Sequence, residues 1–319
     1  MNDKQRNISL DIVKLVLACM VVGIHSRFLG EYDQIGFYFY HGIFRIAVPV
    51  FLVINGYFFY QVADSKPITW LWKVFQRYVV WMLFYAYMWV RPGDFSLEAL
   101  GRIGVTMLFG FNHLWYLSAI MGAALVTLLL KRTSDRIKIG LALILFLCGY
   151  GLQYFRAYNH FESSGSQFLF ETPDIYRNFL FVGFPFFIMG YLIHKHDFVN
   201  RSSLIPLLVG LVFGVLAVLL ESHWNWVVGS YPDPLDLLLG LLVISPVIFL
   251  LVMKSPVYGS ISTLGLYANG IYFIHPFFLM IFKKFIPLSP TPRTLLLILI
   301  SAVATCFLIQ LNKKFRFIL

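Results

Sequence analysis

Ten apolar segments, each about as long as a membrane-crossing helix, constrain the fold of this chain more than any other feature. A helix of about 20 apolar residues spans the hydrocarbon core of a bilayer. Only 13% of the 319 residues are charged, whereas soluble domains carry roughly a quarter. We therefore predict an all-α, polytopic membrane helical bundle of about ten transmembrane helices. The predicted spans are residues 8–29, 42–61, 69–91, 113–130, 137–156, 176–194, 203–221, 235–253, 259–282 and 292–312.

The basic residues between the spans indicate the orientation of the bundle. An even number of spans places both termini on one side, and the loops on that side hold more of the lysines and arginines. This bias favours cytoplasmic N and C termini, although Lys283 and Lys284 fall on the predicted outer side. Asp11 and Lys14 interrupt the first apolar run, so we expect an uncleaved first span and not a signal peptide. We expect one membrane domain over residues 1–319.

Charge and cysteine usage exclude several other classes of function. The net charge of +10 does not indicate nucleic-acid binding, because the basic residues lie in short loops between apolar runs. Cys19, Cys148 and Cys306 lie inside apolar segments without the spacing of metal ligands. We therefore expect neither a disulfide nor a metal site, and we expect membrane lipid as the surrounding partner.

The first span carries three ionisable side chains on one face. Lys14 and His25 are eleven residues apart, which is three helical turns, and Asp11 falls within about 60° of both. At a rise of about 1.5 Å per residue, Lys14 and His25 are separated by about 16 Å along the helix. Ionisable groups are costly in lipid, so this face should meet a cavity or a partner, and each group is a candidate functional residue.

Polar residues of the first three predicted spans form two clusters at opposite membrane depths. The clusters should lie about 15 to 20 Å apart along the membrane normal. The inner cluster is Lys14, Lys73 and Arg77, with Asp11 beside it, and the outer cluster is His25, His41 and Arg45.

The inner cluster suits an anionic phosphate ligand, because lysine and arginine are the usual phosphate-binding side chains. Lys73 and Arg77 lie within two turns of a helix end, however, and snorkelling to the lipid headgroups explains them equally well.

His25 is the best candidate for proton transfer, since imidazole titrates near neutral pH. A buried packing role for this histidine stays open. Asp11 is about 21 Å away along the helix and cannot orient it. Other orienting partners remain open, namely Glu31, Asp33, Glu221 or a backbone carbonyl.

The remaining candidate residues each have a structural alternative. Arg45 can stabilise an oxyanion or mark the headgroup boundary. His113 and Trp115 open the fourth span, where an aromatic belt is also expected. His275 precedes Pro276, which frees a backbone carbonyl inside a helix. Asn55 and the following glycine indicate a helix end or a close backbone approach.

Five segments of the chain form an ordered set of motifs. Two lie near the start of the chain, SLDIVKLVLACMVVGIHS (residues 9–26) and RIAVPVFLVINGYFF (residues 45–59). Three follow later, HLWYLSAIMG (residues 113–122), FPFFIMGYLI (residues 184–193) and GIYFIHPFF (residues 270–278). In the same order and at similar spacing, they resemble the first two motifs and three later blocks of the acyltransferase-3 family of bacterial membrane acyltransferases. The resemblance covers almost the whole chain and implies a multi-pass protein of the bacterial cytoplasmic (inner) membrane.

The resemblance implies transfer of an acyl group, usually acetyl from acetyl-CoA as co-substrate, to a hydroxyl of a surface polysaccharide or lipid-linked glycan. The family's motif histidine falls on His25 and its second-motif arginine on Arg45. The chain departs from the family pattern at Lys14, where arginine is usual, and at Asn55, where serine is common. Lys73 stands, with Arg77, where the family usually has paired arginines.

These features combine into one expected arrangement. The phosphates of CoA would bind at the inner cluster, and the pantetheine arm would reach His25, the general base, with Arg45 holding the carbonyl oxygen or the sugar. Direct attack and an acyl-histidine intermediate both fit. The expected substrate contacts are Trp115, His113, His275, Asn55 and Tyr57.

Two other classes of function remain open. A transporter or flippase for a glycan or lipid-linked sugar would use the same polar face, although it predicts an internal repeat that the sequence lacks. A structural partner in a cell-envelope assembly would leave the five similar segments unexplained.

Overall fold

The computed structural model describes residues 6–90, 93, 96–158, 173–229, 235–259 and 263–319. Their regular secondary structure is helical apart from one pair of two-residue strands, so the all-α prediction is confirmed. The α-helices are α1 Ile8–Ser26, α2 Asp33–Tyr40, α3 Ala47–Tyr60, α4 Pro67–Phe84, α5 Ala86–Trp89, α6 Leu97–Phe109, α7 Trp115–Leu129, α8 Asp135–Tyr158, α9 Phe184–Lys195, α10 Phe198–Arg201, α11 Leu204–Val228, α12 Leu241–Lys254, α13 Leu264–Phe285 and α14 Pro290–Lys314. Short 3-10 turns cover Gly30–Tyr32, Ile43–Ile46, Asn112–Leu114 and Pro173–Ile175, and a π-helix covers Phe179–Gly183.

Seven helical stretches within the described ranges are long and apolar enough to cross a membrane. They are Ile8–Ser26, Gly30–Tyr60, Asn112–Leu129, Asp135–Tyr158, Leu204–Val228, Leu264–Phe285 and Pro290–Lys314. Three shorter apolar helices are Ala99–Phe109, Phe179–Lys195 and Leu241–Lys254. The multi-pass character is therefore supported, while the count of ten spans and the cytoplasmic termini stay predictions.

The structure moves several of the predicted boundaries. Helix α11 continues to Val228, seven residues beyond the predicted end of its span at residue 221. The span predicted over residues 235–253 starts late, because its first six residues form no helix and the helix begins at Leu241. Between the span predicted to end at residue 156 and the span predicted to begin at residue 176, residues 159–172 are outside the described ranges.

The backbone contacts divide the chain into two compact units. The first unit comprises Met1–Val53, His196–Phe317 and Leu319, and the second comprises Ile54–Lys195 and Ile318. The boundary between them falls inside α3. The single-domain prediction is not decided by this division and stays a prediction.

The core of the first unit is α13, which packs most extensively against α1 and α14. The hydroxyls of Ser26 on α1 and Thr294 on α14 are 2.6 Å apart, and Arg293 Nη2 donates to the Ser26 carbonyl oxygen at 2.8 Å. The first contact is buried and the second is partly buried, so they fix the depth of α1 relative to α14 more strongly than apolar packing alone.

The start of α1 is bound to the segment that precedes α13. Strand β1 (Arg6–Asn7) pairs antiparallel with β2 (Tyr258–Gly259), and the Ser9 hydroxyl donates to the Ser255 carbonyl oxygen at 3.1 Å. The Asn7 side chain also accepts from the amide of Leu10, as an N-cap residue does. The polar face of α1 is therefore held in register with the elements around α13.

The second unit is held by close helix packing around α9, which contacts α7 and α8. A Cβ at Gly56 would lie 1.8 Å from the carbonyl oxygen of Phe187, so only glycine permits this approach. The predicted close backbone approach at Asn55 and Gly56 is thus confirmed.

Lys138 is fully buried and donates to the Thr133 carbonyl oxygen at 2.8 Å and to Asp135 at 3.2 Å.

Candidate functional site

His25 and His275 lie side by side within the first unit. Their ring centroids are 5.3 Å apart and the ring planes are inclined by 39°. His25 sits in the last turn of α1, which ends where Arg27 adopts the left-handed conformation with φ 57°. The amide of Phe28 then donates to the Gly23 carbonyl oxygen at 2.9 Å and closes the helix. The end of α1 is thus well defined next to the histidine that we predict to transfer protons.

Local sequence fixes the orientation of His275. The ring is fully buried on α13, and its Nδ1 lies 2.8 Å from the carbonyl oxygen of Tyr272 and 3.1 Å from that of Ile271. In a regular helix the amide of residue 276 would bond to the Tyr272 carbonyl, but Pro276 has no N–H. His275 therefore donates to the carbonyl that the next residue leaves open. This contact uses the backbone carbonyl that Pro276 was predicted to free inside the helix.

A buried ion pair holds Arg45. Its Nη1 donates to Oδ1 of Asp236, and its Nη2 lies 3.4 Å from Nδ1 of His41. The exposed fractions of the Arg45 and Asp236 side chains are 6% and 13%. Arg45 is thus enclosed by protein and neutralised by a carboxylate, an environment unlike the lipid headgroup boundary that was its alternative role.

The Arg45 segment packs directly on α1. A Cβ at Gly23, two residues before His25, would lie 2.4 Å from Cε2 of Phe44. Ring stacking extends this contact, since the rings of Phe44 and Phe28 are 5.9 Å apart. The Ile43–Ile46 turn, and with it Arg45, is therefore fixed against the end of α1 that carries His25.

Sequence reasoning missed Asp236. The residue lies in residues 235–238, which belong to no helix and which we predicted to be part of a membrane span. One signal was available: a buried arginine requires an opposite charge nearby, and Asp236 is an acidic residue at the edge of an apolar run.

Two of the three carboxylates considered as orienting partners of His25 have other partners. Glu31 accepts from the amide of Thr291 at 3.2 and 3.3 Å, near the start of α14. Glu221 accepts from the amide of Leu239 at 2.7 Å, and Asp33 lies in the first turn of α2. A polar residue that the structure does bring to His25 is His275, which the sequence predicted as a substrate contact.

The inner cluster is brought together in part. Asp11 is buried, and its Oδ1 lies 3.9 Å from Nζ of Lys14, whose side chain is one quarter exposed. Lys73, exposed, and Arg77, half-buried, lie one turn apart on α4 of the second unit. The grouping of Lys14 with these two residues stays a prediction.

Four other predicted residues lie in the second unit with partners there. His113 is buried edge-on to the ring of Tyr85 at 5.3 Å, and the Asn55 amide donates to the Tyr116 hydroxyl at 2.8 Å. Trp115 is buried beneath Arg177, whose Cζ is 5.5 Å from the ring centroid. The ring of Tyr57 lies 4.4 Å from that of His194. These contacts support packing roles, and the predicted contacts with substrate stay predictions.

The profile of the acyltransferase domain family matches residues 7–311 of the chain. An amino-acid racemase of Enterococcus faecalis is 26% identical over 98% of this chain and 47% of its own length. A serine/alanine racemase of Enterococcus gallinarum is 25% identical over 85% of this chain and 41% of its own length. The chain thus spans less than half the length of these relatives, and no solved structure matches it. Because the family profile covers almost the entire chain, the protein belongs to the acyltransferase-3 family.

Proposed function

We propose that this acyltransferase moves an acetyl group from acetyl-CoA to a hydroxyl of a surface polysaccharide or lipid-linked glycan, in a bacterial cytoplasmic membrane. One observation carries the proposal: in a chain of an acyltransferase family, His25 at the end of α1 adjoins a second histidine whose orientation is fixed. A half-buried imidazole in such a place is suited to general base catalysis.

The proposed reaction uses His25 as the proton carrier. His25 takes the proton of the acceptor hydroxyl while the hydroxyl oxygen attacks the thioester carbonyl carbon. The carbon–sulfur bond then breaks, and His25 returns the proton to the departing CoA thiolate. An acyl-histidine intermediate would serve as the alternative route. In both routes negative charge develops on the carbonyl oxygen, and a positioned cation lowers that barrier.

Arg45 is the proposed source of that stabilisation. A guanidinium has five N–H donors, and the contact with Asp236 involves Nη1. The ion pair keeps the group in one orientation, which favours catalysis because no reorganisation is needed during the reaction.

The phosphates of the donor are proposed to bind near Lys14. Lys14 stands about 16 Å from His25 along α1, a distance similar to the length of an extended pantetheine arm. Asp11 is proposed to orient the Lys14 ammonium group. Lys73 and Arg77, on α4 of the second unit, are proposed separately as donor-binding residues, since both side chains are suited to phosphate binding.

The racemase names of the relatives do not lead us to propose racemisation. Those chains are more than twice as long as the part that this chain matches. The racemase activity in their names is therefore compatible with a location in the unmatched part.

Acetyl transfer can be tested with the purified protein in detergent, supplied with radiolabelled acetyl-CoA and extracted surface glycans. We expect thiol release and labelled glycan, and a loss of about 100-fold or more in His25→Ala. His196→Ala is the matched control, because this histidine lies at a turn of the first unit beside Phe198. Equal activity in the two variants would remove His25 from the reaction.

A second assay separates the enzyme from the transporter alternative. Protein in sealed vesicles is given labelled glycan with and without acetyl-CoA. A transporter moves the label across the bilayer without releasing thiol, whereas the proposed enzyme releases one thiol for each acetylated hydroxyl. Label transport without any thiol release would contradict the proposal.

A further inference from the structure

We infer that His275 is a positioning residue for His25: its Nε2 accepts an N–H of the His25 imidazolium that forms when His25 takes the acceptor proton. This inference rests on the proposed acyl transfer. It assigns His275 a role through His25, in place of the direct substrate contact that the sequence predicted.

The first step of the argument is the tautomer of His275. A carbonyl oxygen only accepts hydrogen bonds, so Nδ1, at 2.8 Å from the Tyr272 oxygen and 3.1 Å from the Ile271 oxygen, carries a proton. The Tyr272 carbonyl is available because Pro276 cannot donate to it. The His-Pro sequence itself therefore selects the Nδ1–H tautomer and holds the ring in one orientation.

The second step is the charge of the ring. His275 is fully buried, and an imidazolium in such a place would have to be paired with a charge of opposite sign to avoid a large desolvation cost. The neutral ring with a proton on Nδ1 has a lone pair on Nε2. His275 is thus a hydrogen-bond acceptor at Nε2 and cannot donate from this atom to a developing oxyanion.

The third step is the distance between the two rings. The centroids are 5.3 Å apart, and each ring nitrogen lies about 1 Å from its centroid, so two nitrogens that face each other would be about 3 Å apart, a hydrogen-bonding distance. The inference requires Nε2 of His275 to be one of these two nitrogens. Catalytic hydrogen bonds commonly tighten only when the reaction begins.

Proton transfer strengthens this contact. Neutral His25 carries its single N–H on the nitrogen that is not the base, and the imidazolium has an N–H on both nitrogens and a positive charge. One N–H then binds Nε2 of His275, and the other holds the proton that came from the acceptor hydroxyl and passes to the CoA thiolate. In serine proteases an aspartate stabilises the imidazolium in the same position; here a neutral acceptor serves.

Two substitutions of similar size separate this role from a structural one. His275→Asn places an amide N–H near the Tyr272 carbonyl and loses the acceptor at the Nε2 position. His275→Gln extends its amide oxygen toward the Nε2 position. We expect kcat to fall about 10- to 100-fold in His275→Asn, the worth of one hydrogen bond to a charged group. We expect a fall of a few fold in His275→Gln, and the KM for acetyl-CoA should change little in both. A packing role predicts the opposite order, with the asparagine variant closer to wild type.

A cycle with His25→Ala tests whether His275 acts through His25. His275→Asn should cause no further loss in the His25→Ala background, because the imidazolium is absent there. A further loss of tenfold or more would mean that His275 contacts the substrate by itself, which would overturn the inference.

The wild-type protein offers a measurement that does not depend on folding of a variant. Ring-15N histidine labelling should give His275 a protonated Nδ1 and an unprotonated Nε2 resonance, with His275→Asn identifying the signal. A protonated Nε2 would overturn the inference. Failure of the proposed function is distinct, since it would appear as no thiol release from wild-type protein, whereas equal kcat values in active His275→Asn and His275→Gln would refute only the positioning role.

Discussion

Removing the carboxylate that neutralises Arg45 should destabilise the protein far more than removing a surface carboxylate. The Arg45 and Asp236 side chains are 6% and 13% exposed, so water screens their attraction weakly. Two unit charges 4 Å apart attract by about 4 kcal/mol at an effective dielectric constant of 20. Loss of one member of a buried pair costs about 3–5 kcal/mol, largely because the other charge remains buried. We therefore expect Asp236→Asn to lower the free energy of unfolding by about 3 kcal/mol.

The chain contains a matched control in the ion pair between Asp64 and Lys131. The exposed fractions of those side chains are 72% and 41%, and exposed pairs contribute less than about 1 kcal/mol. Asp64→Asn should therefore change the unfolding free energy by less than 1 kcal/mol. Reversible unfolding in detergent micelles titrated with SDS measures both variants on one scale.

The double variant Arg45→Met with Asp236→Leu tests the electrostatic origin of the effect. Apolar replacement of both members of a buried pair is often neutral, so the double variant should recover most of the stability lost in Asp236→Asn. The reasoning is refuted if Asp236→Asn is no less stable than Asp64→Asn. It is also refuted if the double variant is as unstable as Asp236→Asn.

Two further predictions concern packing and donor binding. Gly56→Ala should lower the free energy of unfolding by about 1–3 kcal/mol or more, because the new Cβ would meet the Phe187 carbonyl oxygen. Gly151→Ala on α8 is the control: nothing lies within 4 Å of its Cβ, so it should be neutral or slightly stabilising. SDS unfolding compares the two variants, and equal stabilities would contradict the close approach. Joint replacement of Lys73 and Arg77 by glutamine should raise the KM for acetyl-CoA about tenfold or more while the KM for the glycan stays within twofold. An unchanged KM for acetyl-CoA would contradict a role in donor binding and would favour a role in anchoring the helix at the lipid headgroups.

Helical segments were predicted well because apolar composition over about 20 residues is a local property. Helix α1 begins at Ile8 as predicted and ends three residues earlier than predicted. The helix ends because Arg27 adopts the left-handed conformation. Glycine is the usual residue at such a helix end, so nothing in the sequence indicated that an arginine would end the helix there. The start of α12 was missed for a related reason. Three of the four residues 235–238, which belong to no helix, are leucines, and what distinguishes this stretch from a membrane helix is the contact of Asp236 with Arg45.

The candidate site was predicted in its residues but only partly in its contacts. The sequence identified His25, Arg45 and His275 as functional candidates through spacing and resemblance. It did not predict that His25 and His275 are neighbours, or that Asp236 binds Arg45, because residues so distant along the chain carry no periodic signal of contact. Pro276 was the one local indication. A proline has no N–H, so the sequence predicted a free backbone carbonyl in the preceding turn, and His275 binds that carbonyl.

The strand pair that joins the start of α1 to the segment before α13 has a consequence for how the protein is made. Ser9 and Ser255, which meet there, are 246 residues apart. At about 5–20 residues per second, a ribosome would need roughly 12–50 s to produce the second after the first. During that interval the membrane already contains α1 with Asp11, Lys14 and His25 on one face, and its main packing partner has not been synthesised. The insertion machinery or a chaperone in the bilayer must shelter that face until translation nears its end.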